Sequence, residues 1–381
     1  MRFISLALVL FVLQFTVDVF GQAEKAEAGI QEIIKKYPVV GVSVAVVKKD
    51  KIVYAQSFGQ KDIALNTPLT NDCLFRIASI SKSFSATSIM QLVEAGKLSL
   101  DDDVSTHIGF RVRNPKFPET VITLRNLMSH RSSLNDSQGY FSLDVINPAK
   151  NPNWTKCYNE YGPNKDFMYC NLNYNIIGTI IEKISGERFD QYVKHHILDP
   201  LGLYGGYCVD SLDKSRFATI YEYRADSAKF FASAGAYAPR SDEIANYVMG
   251  YSAPIFSPTG GMKISAPDLA KYMVMHMQLG KSNGKKIMSK KSAREMQTML
   301  TANEKENYGL AIDRTDKLIP GKTMTGHTGS AYGLNSAMYF NRKEKFGIVI
   351  ITNGSYSGYT DGFINLIKQT ANTLHDHVVL K

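Results

Sequence analysis

The apolar positions near the two ends of the chain follow the pattern of β-strands. Residues 40–47 and 51–58 are rich in valine, alanine and aromatic side chains, and the polar residues 48–50 lie between them. This arrangement predicts a β-hairpin. Strand-like runs return after Tyr308, whereas helical patterns dominate the stretch in between. We therefore expect strands from both ends of the chain and a mostly helical middle.

Two longer apolar segments of the chain have the pattern of helices. Residues 77–93 carry one charged side chain, that of Lys82, and Gly96 follows shortly afterwards. This pattern predicts a largely buried helix that a glycine ends. Residues 172–185 are amphipathic and are followed by Gly186, which predicts a second helix with the same kind of end.

The first residues have the pattern of a secretory signal. Arg2 is followed by an apolar run over residues 3–17, and the small residue Gly21 lies just beyond that run. These features predict a signal peptide over residues 1–21. An uncleaved anchor is the alternative, but the run is short for a membrane span. We expect a secreted protein, extracellular or periplasmic, without stable membrane insertion.

Composition and charge fit one compact, enzyme-sized unit. The 381 residues are 44% hydrophobic and 21% charged, which supplies ample apolar material for a core. The formal charge is +9, but the basic residues are spread along the chain and form no stripe interleaved with aromatics. Nucleic acid is therefore not an expected partner. These quantities leave the oligomeric state open.

Four cysteines and three sequons are relevant to an exported protein. The cysteines lack metal-ligand spacing and are not arranged with histidines, so a metal site is not expected. No cofactor is expected either. Disulfides could form in an oxidising compartment, and four cysteines allow three pairings. The sequons would accept glycans in a eukaryotic secretory pathway. The cysteines are Cys73, Cys157, Cys170 and Cys208, and the sequons begin at Asn135, Asn153 and Asn353.

Ser79 and Lys82 form a Ser-x-x-Lys motif at the start of the buried helix. The motif also begins at Ser211 and Ser282, but there it lies in polar, turn-like stretches. A serine at a helix N-terminus lies where backbone N–H groups favour developing negative charge. Lys82 is one turn further on the same face, and apolar surroundings would let it accept the serine proton. The alternative is a capping serine beside a snorkelling lysine.

A Tyr-x-Asn motif, formed by Tyr169 and Asn171, stands just before the second predicted helix. A tyrosine there can aim its hydroxyl into a cleft, and it can relay a proton if nearby cations lower its pKa. Asn171 can offer its amide to a substrate. A second copy of the motif, at Tyr339, lies in an alternating stretch and is expected to belong to a sheet.

A His-x-Gly motif consists of His327, Thr328 and Gly329, and a β-rich stretch follows it. Glycine at a strand edge lets a ligand backbone approach closely, so these three residues are candidates for substrate binding. The alternative is a half-buried strand histidine. Another copy, at His107, follows three aspartates and is expected to lie in a packed turn.

The three motifs, in this order along the chain, resemble those of the serine β-lactamase and penicillin-binding-protein superfamily. The resemblance is closest to its class C branch and to the D,D-carboxypeptidases and carboxylesterases built on the same plan. It runs from about Gly29 to the C-terminal helix. Further stretches that resemble the family are residues 75–82, 124–130, 258–262 and 308–310.

The resemblance implies a role for each motif. Ser79 would be the acylated nucleophile, and Lys82 would activate it. Tyr169 would relay protons and act as the base for deacylation, and Asn171 would orient the substrate. The backbone N–H groups of Ser79 and Ser330 would form the oxyanion hole.

The resemblance also implies the fold. It is an α/β (α+β) fold in which an antiparallel sheet is flanked by helices and a mostly helical domain is inserted. Residues 22–85 and 300–381 would form the domain with the sheet. Residues 86–299 would form the inserted domain.

Two positions depart from the familiar β-lactamases. Those enzymes have Lys-Thr-Gly where this chain has His327, and a histidine is mostly neutral at pH 7. Without a permanent positive charge for a substrate carboxylate, a peptidase or esterase is favoured over a potent β-lactamase. Cys170 lies between Tyr169 and Asn171, where a disulfide to Cys157 would stiffen the loop.

Three functions follow from these observations. The leading one is a secreted serine hydrolase that forms an acyl-enzyme on Ser79 and acts on peptides with D-residues or on small esters. The second is a true β-lactamase. The third is a catalytically weak homologue that binds peptidoglycan fragments or protein partners. The three intact motifs favour an enzyme over the third function.

Overall fold

The structure is a computed structural model that describes residues 22–302 and 307–380. The predicted signal peptide, residues 1–21, lies outside the described residues. In the described ranges, no helix combines the length and the apolar character that a membrane crossing needs.

A nine-stranded antiparallel sheet is built from both ends of the chain, as predicted. The predicted hairpin is confirmed, and its turn contains Lys49 and Asp50, both with positive φ. From one edge to the other, the strands are Thr301–Ala302, Asn307–Tyr308, Asp313–Ile319, Lys322–Ala331, Leu334–Asn341, Phe346–Thr352, Gly41–Lys48, Lys51–Asp62 and Thr67–Pro68. The fold class expected from the resemblance is therefore confirmed.

Both faces of this sheet are covered. Alternate side chains of a strand point to opposite faces, so the mostly apolar strand Gly41–Lys48, buried over its first seven residues, contributes to two cores. Val42 and Val44 pack in a core with the C-terminal helix Asn365–Leu374, whereas Ala45 packs in a larger core on the other face. That larger core includes residues of the sheet and of the helical middle of the chain, and the Ser79 turn lies beside it.

The helical middle contains helices and short pieces of sheet. The α-helices are residues 22–36, Ser81–Glu94, Val104–Ile108, Leu124–Met128, Leu172–Ser185, Phe189–Val193, Asp199–Leu201, Ser241–Ala245, Ala266–Met277, Lys290–Met296 and Asn365–Leu374. The small sheets contain the strands Phe75–Arg76, Gly205–Gly206, Tyr221–Arg224, Lys229–Ala232, Lys263–Ile264, Lys281–Ser282, Lys285–Lys286, Tyr359–Thr360 and Phe363–Ile364. The division into residues 22–85 with 300–381 and residues 86–299 stays a prediction.

The two predicted long helices are confirmed, with a difference at the start of the first. That segment begins as a 3₁₀ turn, Ala78–Ile80, and becomes α-helical only over Ser81–Glu94. Gly96 follows its end with φ +67°, and Gly186 follows Leu172–Ser185 with φ +78°. Glycine is favoured at such ends because it adopts this left-handed conformation without a Cβ clash.

Candidate active site

Ser79 lies in the middle of the 3₁₀ turn that leads into the helix Ser81–Glu94. Ala78 just before it has φ +46°, a conformation that costs an L-residue about 1 kcal/mol or more. The strand Phe75–Arg76 holds the chain on the other side of the turn by pairing in a small sheet. The backbone therefore presents Ser79, half-buried, to a cleft.

Lys82 lies fully buried beneath the serine. Its Nζ is 3.0 Å from Ser79 Oγ, 2.9 Å from Asn171 Oδ1 and 3.0 Å from the carbonyl oxygen of Thr259. Burial lowers the pKa of Lys82 to about 7, although the negative charge of Asp136 opposes the shift. A substantial fraction of the side chain is therefore neutral at pH 7, and a neutral amine can accept a proton from Ser79.

Asp136 fixes the position of Asn171. Its carboxylate accepts hydrogen bonds from the backbone N–H groups of Asn171 and Leu172, at 2.8 and 3.0 Å, and from the Asn171 amide at 3.0 Å. It thereby caps the helix Leu172–Ser185 where a negative charge is favoured. The Asn171 Oδ1 accepts from Lys82 and Thr259. The amide is therefore engaged within the protein, and its predicted contact with substrate stays a prediction.

Tyr169 stands at the rim of the cleft above the lysine. Its ring centroid is 4.8 Å from Lys82 Nζ, and its hydroxyl is hydrogen-bonded to Ser79. The residue is 36% exposed, but its hydroxyl is enclosed. Burial therefore raises the pKa of Tyr169, and the Ser79 hydrogen bond offsets only part of the shift. A lowering of this pKa by cations, considered from the sequence, does not occur, so the phenol stays protonated at neutral pH.

An open strand edge packs against the serine turn. The strand Asp313–Ile319 pairs with Lys322–Ala331 only as far as Gly326, so among the described residues the later part of the second strand has no strand partner on that side. A Cβ on Gly329 would lie 2.3 Å from the carbonyl oxygen of Ile77. Glycine at this position therefore allows the edge to approach the backbone that precedes the serine.

The turn and the strand edge form two walls of a cleft of about 440 Å³. Ser79 and Ser330 both line it, which is the arrangement that the predicted oxyanion hole requires. The lining residues are Arg76, Ala78, Ser79, Tyr140, Phe141, Tyr169, Asn171, Ser257, Thr259, Gly260, Ser330, Ala331 and Tyr332.

His327 lies under the cleft rather than in its wall. The side chain is buried, its Nε2 is 2.9 Å from the Tyr308 hydroxyl, and its Nδ1 bonds the carbonyl of Thr328. Burial and the nearby Lys82 lower the pKa of His327 to about 4. The ring is thus neutral at pH 7 and both of its nitrogens have partners. Neither it nor Thr328 or Gly329 lines the cleft, so direct substrate contact by these three stays a prediction.

Comparison with known proteins identifies the family. Residues 26–369 match the family model described as Beta-lactamase. The chain belongs to the beta-lactamase family. Members of this serine β-lactamase and penicillin-binding-protein superfamily share the antiparallel sheet and helices described above.

Individual relatives of this beta-lactamase family protein are distant. Protein flp of Staphylococcus aureus (strain MW2) is 23% identical over 337 residues, which are 85% of this chain and 61% of that protein. The chain thus spans about three fifths of the length of such relatives. The octameric penicillin-binding protein homologue from Pyrococcus abyssi is 27% identical with a TM-score of 0.74, over 94% of this chain and 77% of that one. The D-amino acid amidase from Ochrobactrum anthropi SV3 has the same fold. It is 20% identical with a TM-score of 0.71, over 93% of this chain and 99% of the amidase.

His130 is a further residue of the site in this beta-lactamase family protein, and it supports Tyr169. Its carbonyl accepts from the Met168 N–H at 2.9 Å, its Nδ1 accepts from the Cys170 N–H at 3.1 Å, and its ring lies 4.2 Å from the Tyr169 ring. Burial lowers its pKa well below the ordinary value, so the ring is neutral. The resemblance at residues 124–130 includes this histidine, but no spacing in the sequence connects it to Tyr169.

Replacing His130 with alanine is expected to lower kcat about 10–100-fold, because a small misplacement of a reacting group costs that much. His130→Asn should recover part of the loss, since its amide oxygen can accept the Cys170 N–H and asparagine tolerates the φ of +56° at this position. Steady-state kinetics on an activated ester would measure both variants. Equal kcat values for the two variants would show that the hydrogen bond to residue 170 does not position Tyr169.

The cysteines and one of the three sequons depart from the sequence expectations. All four cysteines are buried free thiols, so the disulfide considered between Cys157 and Cys170 is not formed. Instead, Cys170 Sγ donates to the Asp136 carboxylate at 3.2 Å, and burial raises the pKa of its thiol.

Asn353, the first residue of one sequon, is fully buried and its amide donates to backbone carbonyls. This burial excludes a glycan there in the folded protein. Asn153 is exposed.

Proposed function

We propose that this protein is a secreted serine hydrolase that forms an acyl-enzyme on Ser79 and acts on peptides with D-residues or on small esters. One observation carries the proposal. Lys82 Nζ lies 3.0 Å from Ser79 Oγ in surroundings that bring the lysine pKa to about 7. A general base is most effective when its pKa is close to the working pH. Membership of the beta-lactamase family supports the same conclusion.

Acylation begins with proton transfer from the serine. Neutral Lys82 takes the proton of Ser79 Oγ while the oxygen forms a bond to the carbonyl carbon of the substrate. The carbonyl π electrons move to its oxygen, and this oxyanion lies between the backbone N–H groups of Ser79 and Ser330. Donors fixed in advance for that charge stabilise the transition state without reorganising.

The intermediate then collapses with the help of Tyr169. The bond from the carbonyl carbon to the leaving nitrogen or oxygen breaks, and the leaving atom receives the Tyr169 hydroxyl proton. The Lys82 ammonium returns a proton to the phenol oxygen. In deacylation a water molecule attacks the carbonyl carbon of the acyl-enzyme ester, and its proton passes through Tyr169 to neutral Lys82. The bond from that carbon to Ser79 Oγ then breaks, and Oγ receives a proton from the Lys82 ammonium. A protonated phenol suits this relay because it donates and accepts in one step.

The state of His327 favours a peptidase or esterase over a β-lactamase. A lysine at this position would place a permanent positive charge beneath the cleft, whereas the neutral His327 has both nitrogens engaged. No comparable charge is therefore available on this strand for a lactam carboxylate. The ordered contacts around Ser79, Lys82 and Asn171 argue against a purely binding protein.

Intact-mass spectrometry tests the proposal directly. The protein would be exposed to an activated aryl ester and, separately, to a penicillin, with Ser79→Ala as the matched control. We expect an acyl adduct from the ester that is absent in the control, and at most slow turnover of the penicillin. Rapid penicillin hydrolysis would favour the β-lactamase function, and no adduct with either reagent would disprove the enzyme proposal.

Export is tested separately by the N-terminal sequence of protein recovered outside the cell, which we expect to begin near residue 22.

The pH dependence follows from the Lys82 pKa. Because the neutral amine is the active form, kcat/KM for an uncharged ester should rise about tenfold per pH unit below pH 7 and level off above it. Tyr169 adds no step near neutrality because burial raises its pKa, and His327, with a pKa of about 4, adds none between pH 5 and 9. Rates corrected with Ser79→Ala at each pH would show this profile. A rate independent of pH between 5.5 and 8 would contradict the assignment of Lys82 as the base.

A further inference from the structure

Arg76 is a buried cation in the wall of the cleft. It precedes Ser79 by three residues, on the short strand Phe75–Arg76, and it is only 7% exposed. A guanidinium keeps its positive charge at neutral pH even though burial lowers its pKa. Charged side chains in such surroundings are usually paired with an opposite charge. Its partners therefore determine what this end of the cleft can bind.

The contacts of Arg76 are all with neutral groups. Its Nε donates to the carbonyl oxygen of Gly260 at 2.8 Å, and one terminal nitrogen has a long contact of 3.4 Å with Ser257 Oγ. The guanidinium carbon lies 5.1 Å from the centre of the Tyr332 ring. Across residues 22–302 and 307–380, no carboxylate lies within ion-pair distance of Arg76, and its other terminal nitrogen has no hydrogen-bond acceptor. One side of the guanidinium is thus held by hydrogen bonds within the protein, and the other terminal nitrogen is available to a ligand.

The second cation of the site, Lys82, is in a different position. Its Nζ has three oxygen acceptors, and the charge of Asp136 stabilises its protonated form. Around Arg76, the neighbouring titratable groups are instead tyrosines, Arg240 and the buried Lys263, which is its cross-strand partner. None of them supplies a carboxylate, and burial together with Arg76 lowers the pKa of Lys263 well below its ordinary value. The uncompensated positive charge of the cleft therefore lies at the Arg76 end.

This end of the cleft is also separate from His327. Arg76 contacts Tyr332, which follows the end of the strand Lys322–Ala331, on the far side of Ser330 from His327. Tyr140 also lines the cleft and is among the groups that act electrostatically on Arg76. Arg76 is buried, and charge-assisted hydrogen bonds are stronger in such surroundings.

We propose that Arg76, flanked by Tyr140 and Tyr332, forms a subsite for an anionic substituent of the substrate, a carboxylate held by the free edge of the guanidinium. The inference rests on the proposed hydrolysis at Ser79 and specifies the substrates it would favour: acyl compounds with a carboxylate remote from the scissile bond. Planar carboxylates match the donor geometry of arginine.

A pair of ester series tests the subsite. Aryl monoesters of dicarboxylic acids of increasing length carry a free carboxylate, and the corresponding aryl methyl diesters are neutral analogues of the same length. We expect the ratio of kcat/KM, carboxylate over neutral, to exceed 1 at one optimal length. Arg76→Gln should lower that ratio about 10–100-fold, the usual size of a charge-assisted hydrogen bond. Arg76→Lys should retain part of the preference.

The controls separate this role from a purely structural one. Arg240→Gln removes a neighbouring arginine whose charge is paired with Glu243, so it should change the ratio far less than Arg76→Gln does. If Arg76→Gln lowers both ester rates equally, or if the wild type shows no preference at any length, the subsite is disproved. Calorimetric binding of the intact esters to Ser79→Ala gives the same comparison without turnover. Absence of hydrolysis in the wild type would overturn the proposed function but not the subsite. Equal affinities of the carboxylate and neutral esters for Ser79→Ala would overturn the subsite.

Discussion

Replacing Lys82 with methionine is expected to lower kcat/KM for an activated ester by on the order of 10⁴-fold, the upper end of the contribution of a positioned general base. Methionine fills a similar volume, so the helix Ser81–Glu94 should stay packed while Ser79 loses its proton acceptor. Stopped-flow acylation would measure the rate. The residual rate should also lose its midpoint near pH 7, because the group that titrates there is gone.

Lys263→Met is the matched control for Lys82→Met. Lys263 is also buried, burial also lowers its pKa, and its Nζ donates to the carbonyl of Tyr207. Its loss removes a buried lysine without removing the base, so acylation of a neutral ester should stay within a few-fold of the wild type. If both variants lost activity equally, general disruption of the core would explain the result and Lys82 would not be the base.

Gly329→Ala is expected to lower kcat/KM about 100-fold and to destabilise the fold by about 1–3 kcal/mol. The added Cβ would lie 2.3 Å from the Ile77 carbonyl oxygen and 3.2 Å from Ala78 Cβ. Ser336 Oγ, at 2.5 Å, can rotate away, but the backbone before Ser79 cannot. The strand edge must therefore move away from the serine, which widens the distance between the two proposed oxyanion donors. Acylation rates and thermal unfolding would measure the two effects.

Gly235→Ala is the matched control for Gly329→Ala. A Cβ on Gly235 would meet nothing within 4 Å, and its φ is not in the left-handed region. The variant should keep wild-type acylation and stability. Wild-type activity in Gly329→Ala would show that the strand edge can retreat without cost, and it would contradict the assigned role of the close approach.

The sequence predicts those parts of the site that lie on one element or in one motif. Ser79 and Lys82 are three residues apart, so a helical turn alone brings them together. Tyr169 and Asn171 could be placed because a recognisable helix follows them. The hairpin and the strands after Tyr308 were predictable because alternation and turn residues are local signals.

Other parts of the site depend on contacts that local patterns do not encode. Asp136 and Thr259 come from distant loops, and Thr259 contributes a backbone carbonyl to Lys82 and its hydroxyl to Asn171. His327 was recognised by type, but its low pKa depends on burial and on the nearby Lys82, and neither follows from the motif. The disulfide considered for Cys157 and Cys170 depended on proximity along the chain, whereas their thiols have other surroundings in the fold.

The Ser336 hydroxyl donates to the Ile77 carbonyl across 259 residues of sequence. During synthesis the ribosome therefore releases the serine and its lysine long before the strand that completes their surroundings exists. An unfinished chain contains Ser79 and Lys82 but lacks the strand edge against which the serine turn packs. Long-range contacts of this kind form late, so chemical competence should arise only once almost the whole polypeptide has been made, and truncated chains should be inert toward acylating reagents.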